Sequence, residues 1–118
     1  RLFRPGDSLR LDVWARFPEH QSDDAGIGVA LVRNDGVLVY STTTNIDGHR
    51  LTRADPGLFH VALFLPDLQL LPGRYAFNVF TADSSSLQTY DQADGVEEFR
   101  ISSSTVERGV ARIQHYWA

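Results

Sequence analysis

The feature that most constrains this chain is its period. Leu9, Leu11, Val13, Ala15 and Phe17 alternate with Arg10, Asp12, Trp14 and Arg16. Successive side chains of a strand point to opposite faces, so this run predicts one buried and one solvated face. Gly26 to Arg33 repeats the pattern with Ile27, Val29 and Leu31, and Leu58–Leu65 repeats it with Phe59, Val61, Leu63 and Leu65. Leu70-Leu71-Pro72-Gly73-Arg74-Tyr75 is a turn feeding a further strand, Arg74–Ala82, in which Tyr75, Phe77 and Val79 oppose Arg74, Ala76, Asn78 and Phe80. No segment carries a helical stripe.

Turn chemistry punctuates the strands. Asn34-Asp35-Gly36 is a tight-turn signal joining Gly26–Arg33 to the β-branched Val37–Thr44. Pro18–Ala25, Asn45–Gly57 and Asp83–Gly95 read as polar loops, the second carrying Asp47-Gly48 and Asp55-Pro56-Gly57 turns. Val96–Ser102 and Gly109–Trp117 read as the last two strands. The expectation is an all-β, immunoglobulin-like antiparallel sandwich of roughly seven to nine strands. With 118 residues the chain forms one domain with one core.

Composition removes several classes of function. Net charge is −4 and no basic stripe is present, which argues against nucleic acid. No apolar run reaches the roughly 20 residues that cross a bilayer as a helix. The chain has no cysteine, hence no thiol nucleophile and no cysteine-ligated zinc, and it leans toward a reducing compartment. His20, His49, His60 and His115 lack metal-ligand spacing, and Asp23-Asp24 and Asp91-x-x-Asp94 match no calcium loop. No phosphate-binding Gly-x-x-x-x-Gly-Lys loop and no paired carboxylates stand out, so neither a cofactor nor an enzymatic activity is expected. The chain opens at Arg1 and contains no methionine, so it is expected to be a fragment of a longer protein.

An ordered series of motifs resembles a known family. It runs from the Gly6-Asp7 turn through the Arg33-x-Asp35-Gly36 hairpin and Thr42-Thr43-Thr44-Asn45 with Gly48. It continues with Leu65-Pro66, Leu70-x-Pro72-Gly73-x-Tyr75 and Phe99, and ends on Gly109 ahead of Trp117. The series resembles the C-terminal domain of Wzt, the ATPase subunit of ABC transporters that export O-antigen polysaccharide. The resemblance implies a carbohydrate-binding module that recognises the non-reducing end of the polysaccharide at the cytoplasmic face of the inner membrane. It also implies an ATPase domain N-terminal to this fragment, a homodimer, and contact with the membrane only through the transporter permease.

Sugar recognition calls for an aromatic plate and for planar polar groups that match hydroxyls. The alternation turns Trp14 outward with Arg16, and His60 outward with Phe64 on the Leu58–Leu65 strand. If the two strands are neighbours, these four residues share one surface, open to a glycan or to a second subunit. Arg74, Asn78 and Phe80 line a second face, beside a trough of Gly28, Ala30 and Val32, or simply carpet the outer sheet. Among loop residues, Asp47, His49, Arg50 and Tyr90 have suitable chemistry, as any surface loop has. Tyr75 is assigned to structure, and Trp117 to packing at the sheet or across a dimer. A dimerisation module, or a carbohydrate-binding appendage of a glycan-processing enzyme, stands as the alternative.

Overall fold

The computed structural model describes residues 1–17, 26–82, 89–102 and 106–118, with the backbone alone at 82 and 89–94. Among the described residues eight strands follow in order: β1 (Leu2–Phe3), β2 (Leu9–Arg16), β3 (Gly26–Arg33), β4 (Leu38–Thr43), β5 (Thr52–Asp55), β6 (Leu58–Leu65), β7 (Gly73–Ala82) and β8 (Thr89–Ile101). No helix occurs among the described residues. One sheet has the order β1-β8-β7-β3-β4 and the other β2-β6-β5. Every pairing is antiparallel except β1 with β8. The expected antiparallel sandwich is the observed fold.

The alternation builds the core. Leu9, Leu11 and Val13 of the smaller sheet, with Phe17 just beyond β2, share one core with Ile27, Val29, Leu31, Tyr75, Phe77 and Phe99 of the larger one. Burying such side chains is the main favourable term in folding, at about 1.5–3 kcal/mol each. The connection from β6 to β7 closes one end of the sandwich, with Leu68, Leu70 and Leu71 buried. The Tyr75 hydroxyl donates to the Leu71 carbonyl at 2.7 Å, which ties the start of β7 to that connection and gives Tyr75 its structural role. At the β3–β4 turn, Arg33 N donates to Val37 O and Gly36 takes φ +87°, a conformation a side chain would strain.

Three segments differ from their sequence-based expectation, and Leu2–Phe3 adds a strand where none was expected. Thr89–Gly95 is not a loop but the first half of β8, which pairs with β7 along a ladder interrupted by three register shifts between Gly73 and Ala82. The polar composition hid it, because strand formation there comes from pairing with Val79–Ala82 of β7 and not from an apolar alternation of its own. Asn45–Gly57 contains β5, whose four residues are all exposed and carry no alternation. Leu2–Phe3 adds a short parallel edge to β8. Gly109–Trp117 is not a strand: among the described residues only Ala111 bridges, to Leu70, and Ile113, Tyr116 and Trp117 are exposed. Trp117 therefore packs on neither sheet. Beyond Ala111 this segment pairs with no strand among the described residues. The expected loop at 18–25 lies outside the described residues.

Candidate functional site

The outer face of the three-stranded sheet gathers the first set of expected residues. β2 and β6 pair along their length, with Arg10 opposite Phe64, Asp12 opposite Ala62, Trp14 opposite His60 and Arg16 opposite Leu58. Directly opposed residues share a face, so one row of outward side chains lies beside another. The Trp14 indole packs on the His60 imidazole, with ring centroids 4.3 Å apart and planes at 32°. Trp14 nevertheless remains 58% exposed and Phe64 61% exposed. The Arg10 guanidinium sits 5.0 Å above the centre of the Phe64 ring.

Asp12 joins the two pairs. Its carboxylate accepts from Arg10 Nη2 at 2.9 Å and Nε at 3.0 Å, and it lies 2.9 Å from His60 Nε2. Ala62, directly across, leaves room for that diagonal reach. The Arg10 guanidinium, then His60, hold the Asp12 carboxyl below its ordinary range. Charge-assisted, bidentate contacts fix geometry even where solvent screens their energy. The result is a fixed ridge: an exposed indole, an exposed phenyl ring, and a carboxylate, guanidinium and imidazole between them. Arg16 is exposed at the far end of the row.

The second face is organised differently. β3 and β7 place Gly28 opposite Phe80, Ala30 opposite Asn78 and Val32 opposite Ala76. The trough of small residues exists, but Phe80 fills it. A Cβ on Gly28 would lie 2.1 Å from a Phe80 ring carbon, so the ring rests flat on the glycine backbone, half-buried. Asn78 is also engaged, its Oδ1 accepting from Gly95 N at 2.9 Å across a bulged stretch of β8. Arg74 is exposed at the other end of the row. Tyr90 falls in β8, and its side chain lies outside the described residues.

A third feature opens between the sheets. Beyond His60 the edge of β6 has no β5 partner, and a cavity of about 250 Å³ lies there, lined by Thr42, Thr44, Asp47, His49, Val61 and Leu63, among others. Asp47 accepts from the Thr42 hydroxyl at 3.2 Å.

The structure thus brings Trp14, Arg16, His60 and Phe64 onto one surface, and Arg74, Asn78 and Phe80 onto the opposite one. Sequence reasoning missed the roles of Arg10 and Asp12, which alternation had already turned outward beside Trp14. The strand register was the signal that would have linked them to His60 and Phe64.

Comparison with known proteins yields two findings. The family model described as the Wzt C-terminal domain matches residues 1–113. A solved structure described as the crystal structure of the C-terminal domain of Wzt superposes with a TM-score of 0.77 at 14% identity, covering 98% of this chain and 71% of that one. At that identity the superposition concerns the fold alone. No curated protein sequence matches the chain.

Proposed function

The chain belongs to the Wzt C-terminal domain family, and on that premise we propose that it is a carbohydrate-binding module whose glycan lies on the outer face of β2 and β6. The observation that carries the reading is the Trp14–His60 stack with its indole left 58% exposed. An exposed ring on a rigid strand offers an apolar plate to the C–H face of a pyranose. Asp12, Arg10 and His60 offer hydroxyl partners that their mutual contacts already orient, which lowers the entropic cost of binding. Phe64, one ridge-length away, extends the plate for a second residue.

On this reading the ligand is the non-reducing terminus of an O-antigen polysaccharide, met at the cytoplasmic face of the inner membrane. An ATPase domain elsewhere in the longer protein couples recognition to export. The module recognises and does not catalyse, needs no cofactor, and meets the membrane only through the transporter permease.

The test is a calorimetric titration with O-polysaccharide fragments that carry or lack the terminal residue, read alongside tryptophan fluorescence. Terminus-dependent binding that weakens about tenfold or more in Trp14→Ala, with the melting temperature held, is the expected result. Full affinity in both Trp14→Ala and Phe64→Ala would remove the ridge as the site.

A second reading, a dimerisation module, is favoured by the segment after Ala111. Its Ile113, Tyr116 and Trp117 are 76%, 88% and 93% exposed. Extended apolar segments of this kind add to a partner's sheet edge. Light scattering on the chain and on a version ending at Arg112 tests it: a dimer that becomes a monomer on truncation is expected. The two readings are compatible, since a dimer carries two ridges.

A further inference from the structure

The end of the five-stranded sheet remote from Phe80 holds a cluster that the ridge does not use. β7 and β8 place Arg74 directly opposite Arg100. Like charges in that position repel, and no contact between the two side chains compensates. Both line a cavity of about 530 Å³ together with Arg1, Arg33, Val32 and Ala76. Arg33 is held by Asp35, at 2.9 and 2.8 Å. Among the described residues Arg74 and Arg100 have no ion-pair partner. Glu98 also lines the cavity and bridges to neither. A chain of net charge −4 thus concentrates unpaired cations at one cavity.

The geometry points to an oxyanion subsite: we propose that Arg74 and Arg100 together take the carboxylate or phosphate of an acidic sugar. Two guanidinium forks on adjacent strands suit the several oxygens of such a group, which accept paired N–H donors. The bound anion relieves the repulsion between the two arginines. Val32 and Ala76 form a small apolar floor beside the charge, and the cavity has the size of a small-molecule site. Only the sugar part of this proposal rests on the carbohydrate reading. The anion subsite stands on the arginine pair and lies on the opposite sheet from the ridge.

The test titrates the chain with glucose 1-phosphate, glucuronate, inorganic phosphate and glucose at low salt, following backbone amides and arginine Nε–Hε signals by NMR. Saturable shifts at Arg74 and Arg100 are expected with glucose 1-phosphate or glucuronate, whichever binds tighter naming the preferred oxyanion. Inorganic phosphate should bind more weakly, and glucose should leave these signals unmoved. Arg74→Gln and Arg100→Gln should each lower the affinity by about tenfold or more. Neither should lower the melting temperature of the free chain, because each removes a repulsion. The acidic sugar should raise the melting temperature of the parent and not of the variants. Three outcomes would overturn the proposal: inorganic phosphate binding as tightly as the sugar phosphate, shifts centred elsewhere, or unchanged affinity in the double variant. Trp14→Ala should leave these anion shifts intact, so failure of the ridge and failure of the subsite are told apart.

Discussion

The two outer faces of the sandwich start from the same alternation and end with opposite characters. On the small sheet, Trp14 faces His60, a ring of its own kind, and the two stack while the indole stays in solvent. On the large sheet, Phe80 faces Gly28, which has no side chain, and the ring lies down on the bare backbone. The polar groups divide in the same way. Asp12 pairs with Arg10 in its own row and with His60 in the row beside it, whereas Arg74 faces another arginine. An outward position in a strand therefore sets only the side on which a residue stands. The residue across the ladder sets whether its chemistry is displayed or absorbed.

The strongest perturbation breaks both faces at once. Phe77 is 1% exposed beneath them, so Phe77→Ala should cost about 3–5 kcal/mol. Urea denaturation should show it as a lower midpoint. A loss of order confined to one face would mean that the sheets are less coupled than the shared core implies.

Gly28→Ala attacks the asymmetry itself. The new methyl takes the space of the Phe80 ring, which must swing outward, at about 1–3 kcal/mol. Thermal melts should record the cost, and glycan affinity at the ridge should not change. A neutral effect would show that Phe80 holds its place for reasons other than the missing Cβ.

Trp14→Ala sharpens the other side. It should weaken glycan binding by about 1.4 kcal/mol or more, measured by titration, and shift stability by no more than about 0.5 kcal/mol, because the indole is mostly exposed. The smallest effect concerns acid. Asp12 is held below its ordinary 3.8 by Arg10 and His60. Its pairing therefore stabilises the fold above that value and ceases to do so as pH falls through the depressed one. Asp12→Asn should remove that part of the acid limb in melts recorded from pH 5 to pH 2, while loosening the Trp14–His60 stack.

Much of the ridge was legible beforehand. Leu9–Phe17 and Leu58–Leu65 each alternate without interruption, so Trp14, His60 and Phe64 faced outward once the strands were placed side by side. The Gly28, Ala30 and Val32 trough was legible for the same reason, and its occupation by Phe80 was not. That depends on a rotamer chosen by the neighbour's missing Cβ. Asn78 read as a residue lining the outer face, but a bulge in β8 brings the Gly95 N–H to it. Thr89–Gly95 read as a loop because strand formation there is imposed by β7 and not by propensity. Gly109–Trp117 read as a strand because periodicity cannot say whether a partner edge is within reach.

By itself, then, the sequence determined the class of fold, the inward set from Leu9 to Val79, and the side of the sheet on which the candidates on β2, β6 and β7 stand. A period of two and its turn residues are local properties, and local sterics and burial enforce them. Only the tertiary structure decided which strands became neighbours. That decision joined Asp12 to His60, sank Phe80 onto Gly28 and set Arg74 against Arg100. Such contacts lie between residues tens of positions apart in the chain, and their energies depend on a register that no single strand encodes.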